Sequence, residues 1–211
     1  MRSIEHNISI LQSWFSPAFP IGGFSYSHGL ERAINQGLVK DAESLQDWIA
    51  SIISHGTGRN DALFIQAAFK GEDCNDLCLG LAAGRERHQE TVEMGRAFTN
   101  VVNESYGLAL PDGLAYPVAV GVAASKLGLD PGLTIQSYLQ AFASNLISVG
   151  VRNIPIGQMA GQSCLVRLMP GIHKLKDEVD VSSLDDLGGS ALIADIVSMQ
   201  HEYDDVRMYR T

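Results

Sequence analysis

Residues 130–151 read DPGLTIQSYLQAFASNLISVGV. An aspartate followed by a proline is a helix start. The carboxylate accepts from a free first-turn N–H, and the proline occupies a position whose N–H would be unpaired anyway. After it, Ile135, Leu139, Phe142, Leu146 and Val149 recur at steps of four, three, four and three, which is one face of an α-helix. From Pro131 to Val151 there is no Asp, Glu, Lys or Arg, and continuing to Val166 adds only Arg152. The stretch has about the 20 residues a membrane span needs. Thr134, Gln136, Ser137, Gln140, Ser144, Asn145 and Ser148 argue against one. The expectation is a long helix, apolar on one face and small, polar and uncharged on the other. Such a second face suits burial inside one bundle, or contact with another helix or subunit. Arg152, the single charge, is expected to make specific hydrogen bonds or an ion pair, because an unpaired buried charge is costly.

Helical patterns extend outward from this segment. Ile8, Leu11, Trp14 and Phe15 predict a short amphipathic helix ending near Pro17. Residues 22–36 read as a second helix with Gly37 beyond its end. Leu45, Trp48, Ile49, Ile52 and Ile53 give a third, with Ser44 as its N-cap. Residues 62–69 form a helix stopped near Gly71. Residues 75–105 form one helix or two, broken at Gly84, with Met94, Phe98, Val101 and Val102 as the seam. Pro117 starts a helix through Lys126. Pro155 separates the 131–151 helix from one ending near Leu168. Residues 170–189, with Pro170, Gly171, Gly188 and Gly189, read mostly as loop, and a last helix spans about 190–202. The whole predicts one all-α domain, a helical bundle of about eight to ten helices, over residues 1–211.

The 211 residues carry 15 basic and 24 acidic side chains, a net charge of −9, which argues against nucleic acid as the main partner. Hydrophobic residues make up 45%, too many for a disordered chain. The opening MRSIEHNISILQSW lacks the apolar run of a signal peptide, and three cysteines make no disulfide framework, so a cytoplasmic setting is expected. Residues 171–211 hold nine acids against Lys174, Lys176, Arg207 and Arg210.

Catalytic and cofactor signatures are sparse. No Gly-Lys dipeptide exists, which excludes a Walker-type phosphate loop. Gly56 and Gly58 lack the third glycine of a dinucleotide fingerprint and read as a turn. Ser27 and His28 are sequence neighbours and make no catalytic dyad. His201-Glu202 begins like a zinc-protease motif, but position 205 is Asp. Cys74 and Cys78 are one helical turn apart and read as small apolar residues. No cofactor is expected. Gly157 and Gly161, with Gln158 and Gln162, are one turn apart. They fit either close packing within the chain or approach of a second helix.

Three segments carry a family likeness: SPAFPIGGFSYSHGLE at 16–31, VRNIPIGQMAGQ at 151–162 and DIVSMQHEYDDVRMYRT at 195–211. In this order and spacing they resemble the urease accessory protein F family (UreF), over essentially the whole chain. The resemblance implies an all-α, cytoplasmic, homodimeric, non-catalytic protein. It implies binding to accessory protein D (H in some bacteria), recruitment of the GTPase G, and joint action on apo-urease to deliver nickel. It also implies a C-terminal tail, about 203–211, that is flexible alone and ordered by the D/H partner. Carried over by motif, Tyr26, Ser27, His28, Glu31, Arg152, Gln158, Gln162, His201, Glu202, Tyr203, Arg207, Met208, Tyr209 and Arg210 are candidate partner contacts. Pro20, Gly22, Gly23, Gly29, Gly157 and Gly161 are candidate shaping residues. The rival expectation is a chaperone that holds nickel itself through His201, Glu202, Cys74 or Cys78.

Overall fold

The computed structural model describes residues 4–189 and 191–211. Among them the only regular elements are helices. They are α1 (Ile4–Trp14), α2 (Leu30–Asn35), α3 (Ala42–His55), α4 (Thr57–Lys70), α5 (Asn75–Gly80), α6 (Arg85–Tyr106), α7 (Tyr116–Leu127), α8 (Pro131–Asn153), α9 (Gln158–Asp180) and α10 (Leu192–His201). Asp130 caps α8 as expected, accepting from Leu133 N–H at 2.7 Å. Gly84 stands at the break between α5 and α6.

Helix α8 runs through the centre, packed on α9, α4, α2 and α3. Ile135, Leu139, Leu146 and Val149 of its predicted apolar face are buried, while Phe142 is half-buried. A second pair, α4 and α7, closes so tightly that a Cβ on Gly121 would lie 2.5 Å from the Ile65 carbonyl oxygen. Trp14, Phe98 and Tyr116 form an edge-to-face chain at 5.1 and 5.7 Å that ties α1 and α6 to α7. This all-α single-domain bundle agrees with the predicted class.

Three local expectations are corrected. Residues 22–36 are not one helix: Gly22, His28 and Gly29 have φ of +73°, +51° and +74°, so only a 3-10 turn at Gly23–Ser25 and the short α2 form. Ser44 is not the N-cap of α3. Asp41 is, accepting from Ser44 N–H at 2.9 Å while Ser44 Oγ accepts from Asp41 N–H at 3.1 Å. Residues 170–180 are helix rather than loop. Leu168, Ile172, Leu175 and Val179 continue the buried seam of α9 at steps of four, three and four. Pro170 sits on the exposed side, where the loss of one N–H bond is outweighed by that seam.

Candidate functional site

The three segments that carried the likeness meet in space. Segment 22–31 forms a seat, and residues 202–211 lie across it as a strap. Ser27 N–H donates to the Thr211 carbonyl at 2.9 Å and Arg210 N–H to the Ser25 carbonyl at 2.8 Å. Ser27 Oγ also donates to that Thr211 carbonyl, so the hydroxyl is engaged structurally and forms no dyad with His28. The Glu31 carboxylate accepts from the N–H groups of Met208 and Tyr209 at 2.9 and 3.0 Å. The strap's Thr211 and Tyr209 are buried, whereas Tyr203, Val206 and Met208 are 83%, 85% and 68% exposed.

Helix α10 delivers the strap. Its passage over the seat requires Gly29, where a Cβ would stand 2.7 Å from the Ser198 backbone nitrogen in addition to the left-handed φ. Beyond it, His201 is wholly buried between Glu86 (Nδ1 to Oε2, 3.0 Å) and Glu31 (Nε2 to Oε2, 3.1 Å). The Glu202 carboxylate caps α6, accepting from the N–H of Arg85 at 2.7 Å and of Glu86 at 3.2 Å, where Gly84 has no side chain to offer. Arg207 pairs with Glu86, and Asp204 with Arg32. Arg210 pairs with Glu93 at 2.7 Å and lies over the Tyr26 ring. Tyr26 O–H donates to Glu93 at 2.9 Å, and burial with this carboxylate raises the phenol's pKa.

The second segment enters through Arg152 and Asn153. Arg152 is exposed rather than buried, so the premise of the expected pairing does not hold; it lies over the Tyr209 ring at 5.3 Å and donates to the Ser148 carbonyl at 3.0 Å, with no acidic partner. Asn153 Nδ2 is 3.3 Å from Tyr209 Oη. Gln158 and Gln162 are exposed on α9, and no contact joins them to the strap. Gly161 does pack closely, its missing Cβ lying 2.7 Å from Val151, but Gly157 faces open space and precedes α9 as its N-cap. Pro20 is exposed and Gly22 has room around it, while Gly23 is buried against Asn145 and Met94.

Sequence reasoning missed the acidic partners on α6. Glu86, Glu90 and Glu93 stand at steps of four and three and so share a face, a spacing that would have marked them. Glu90 accepts from the Thr211 hydroxyl at 3.2 Å, pairs with Arg87, and lies 3.0 Å from His28 Nε2. Burial alone would raise its pKa. Arg87 and His28 outweigh that and hold it at about 2. Burial, reinforced by Arg87, keeps His28 below the ordinary imidazole range.

His28, Arg87 and Glu90 also border a cleft of about 570 Å³ between α1, the turn after it and α8. Asp61 lies at its base, where burial pushes the carboxyl up to about 6 although Tyr138 O–H donates to it at 2.6 Å. A carboxyl whose folded pKa is raised binds its proton more tightly in the folded state. Its stabilising contribution is therefore present below the unfolded value of 3.8 and lost as pH rises to about 6. Asp61→Asn is expected to add about 2–3 kcal/mol at neutral pH, at about 1.4 kcal/mol per pKa unit. It should also flatten that slope in denaturant unfolding measured at pH values on either side of the window. An unchanged slope would contradict the assignment.

Metal-ligating chemistry has little support in these positions. The two His201 nitrogens point to different carboxylates. Cys74 and Cys78 are buried with Phe64, Ala67, Ala115 and Val118. Burial, with Glu72 and Asp73, pushes the Cys74 thiol up to about 11, and burial also raises Cys78, both away from the thiolate that binds metal. Among the described residues no group of three or more His, Cys, Asp and Glu side chains is placed to hold an ion, and no helix is long and apolar enough to cross a membrane.

An all-α bundle whose C-terminal strap is clipped to a glycine-rich seat is the class that fold and site define. The family model described as UreF matches residues 39–169. Urease accessory protein UreF of Cereibacter sphaeroides is 44% identical over 97% of this chain and 98% of its own length. Those of Ruegeria pomeroyi and Rhodopseudomonas palustris are 40% and 38% identical, over 98% and 99% of this chain and 98% and 96% of theirs. The chain belongs to the UreF family of urease accessory proteins.

Proposed function

We propose that the protein is a non-catalytic docking component of urease maturation. In this reading it joins accessory protein D/H and the GTPase G on apo-urease for GTP-dependent nickel insertion, as a cytoplasmic homodimer. The observation that carries it is an apolar surface at the C-terminal end. Leu192, Ile193, Ile196 and Met199 of α10 are 61%, 64%, 39% and 42% exposed, and the strap adds Tyr203, Val206 and Met208. Exposed hydrophobes gathered on one helix and the segment that follows it favour a protein–protein contact, and Tyr and Met are enriched in such contacts. D/H is assigned to this end. The uncharged side of α8, where Gln136, Gln140 and Ser144 border the cleft and Ser148 is exposed beyond it, is assigned to the second copy, since it loses little on desolvation. The resemblance implied a tail flexible alone and ordered by D/H; in this structure residues 203–211 are instead held to the seat by main-chain bonds, which D/H would engage in place or displace.

Co-purification tests the reading. The chain is expected to form a complex with D/H, and that pair to recruit G. Deleting residues 203–211 is expected to abolish D/H capture while the helical content and the dimer persist, by circular dichroism and light scattering. Full D/H binding by the shortened chain would remove the strap from the interface, and failure of the intact chain to bind D/H would overturn the assignment.

A further inference from the structure

The cleft of about 570 Å³ between α1, the turn after it and α8 has a makeup that neither the strap nor the exposed face of α10 explains. Its volume falls in the range of small-molecule sites, about 300–1,000 Å³. Phe15, Phe19, Met94, Leu133 and Phe142 give it largely aromatic and aliphatic walls. Apolar walls with a few polar groups gathered at one point are the usual composition of a ligand site.

The polar groups gather around Asp61, which is 8% exposed. Tyr138 O–H donates to its Oδ2 at 2.6 Å, and among the described residues no hydrogen-bond donor reaches Oδ1. Arg87 acts on this carboxyl through space, but its guanidinium is paired with Glu90. His28 supplies no cation. Burial and Arg87 keep its ring below the ordinary imidazole range, and its Nε2 lies 3.0 Å from Glu90. At neutral pH Asp61 is ionised in most molecules, since burial pushes it up only to about 6. Asp61, Glu90 and Arg87 then sum to one negative charge in an apolar surrounding.

A buried carboxylate without a cation is costly, so the ligand this base favours brings one. A neutral ligand leaves the charge unpaired and an anion adds to it. A metal dication needs more donors than one carboxylate offers. Among the described residues no group of three or more His, Cys, Asp and Glu side chains is placed to hold an ion. An organic ammonium has three N–H donors for the carboxylate and an apolar body for the walls, and aromatic faces attract a cation.

We propose that this cleft binds a small organic ammonium ion, with its cationic head on Asp61 and its aromatic or aliphatic body against Phe15, Phe19 and Phe142. The site goes beyond the docking role and needs no partner protein. Gln136, Gln140 and Ser144, on the face assigned above to the second copy, form part of its rim, so the test uses the full chain in the oligomeric state it adopts.

Phenethylamine, phenethyl alcohol and hydrocinnamate share a ring and its arm and differ in the head group. Each is titrated into the full chain at a pH above the Asp61 titration, by calorimetry and by the fluorescence of Trp14, which lines the cleft. The amine is expected to bind saturably at one site per chain, the alcohol about tenfold or more weaker, and the carboxylate not at all. Asp61→Asn keeps an oxygen for Tyr138. It should bring the amine down to the affinity of the alcohol and leave the alcohol unchanged. Absence of saturable amine binding overturns the proposal, as does an amine no tighter than the alcohol or amine binding that survives Asp61→Asn. None of these results bears on D/H capture, which co-purification tests.

Discussion

Replacing Glu31 by alanine is expected to lower the stability of the fold by about 3–5 kcal/mol and to free the strap, because the buried donors it accepts from are left without a partner. The carboxylate accepts from the Met208 and Tyr209 amides at 2.9 and 3.0 Å and lies 3.1 Å from His201 Nε2. Each donor left unpaired in place would cost about 1–3 kcal/mol. The chain can limit that loss by letting residues 203–211 swing into water. It then forfeits the burial of Tyr209 and Thr211 and the bonds to Ser25 and Ser27. Denaturant unfolding reads the first effect. Loss of amide protection at Ser27, Met208, Tyr209 and Arg210 reads the second. Glu31→Gln retains an acceptor and should fall between. Because the Glu31→Ala strap keeps its sequence, D/H capture should survive in this variant although it is lost on deletion of the same residues. Parent-like protection at Met208 and Tyr209 would show that the seat does not depend on this carboxylate.

The bundle was legible because its long helices are written in apolar steps of three and four, with caps and prolines where they begin. Asp130-Pro131 marked α8, and Gly84 marked the start of α6. What misled was local grammar set against tertiary packing. Pro170 and Gly171 look like a stop, yet the apolar seam of α9 crosses them with the proline on the solvent side. The segment from Gly22 to Gly29 has enough helix formers for a helix, but three left-handed residues turn it into the strap's seat. The candidate contacts in the first and third motifs were visible as residues and not as partners. Glu31 meets Tyr209, and Tyr26 meets Arg210, across more than 170 positions, and nothing local encodes such a pairing. The α6 carboxylates had a helical spacing of their own, but their role depends on the chain end that folds onto them.

Gly95→Ala is expected to cost about 2–4 kcal/mol, against a typical range of about 1–3 for an overpacked core. It should cost more than either glycine of the 157–161 pair that stands out in the sequence. A Cβ at Gly95 would lie 2.0 Å from the Leu114 carbonyl oxygen and 2.9 Å from Tyr116 N, both backbone atoms. That backbone cannot retreat easily. Asn103 holds Leu110 through two hydrogen bonds, Asn75 holds Ala115 N–H at 2.8 Å, and Thr91 Oγ1 accepts from Tyr116 N–H at 3.2 Å. The remaining response is to move α6 away from α7, which opens the Phe98–Tyr116 contact. The gain in helix propensity, about 1 kcal/mol, is too small to offset this. At Gly161 the obstacles are side-chain methyls of Val151 and Ile147, so the cost of an alanine there should be smaller, about 1–2 kcal/mol. At Gly157 nothing stands within 4 Å, and Gly157→Ser, which supplies a cap to α9, should be neutral or gain a few tenths of a kcal/mol. Denaturant midpoints for the three variants give the order directly, and a Gly95→Ala protein as stable as its parent would refute it. Glu86, Glu90 and Glu93 ride on the helix that must move, so strap exchange should rise in Gly95→Ala beyond what global unfolding accounts for. In Gly161→Ala, whose strain falls between α8 and α9, it should not.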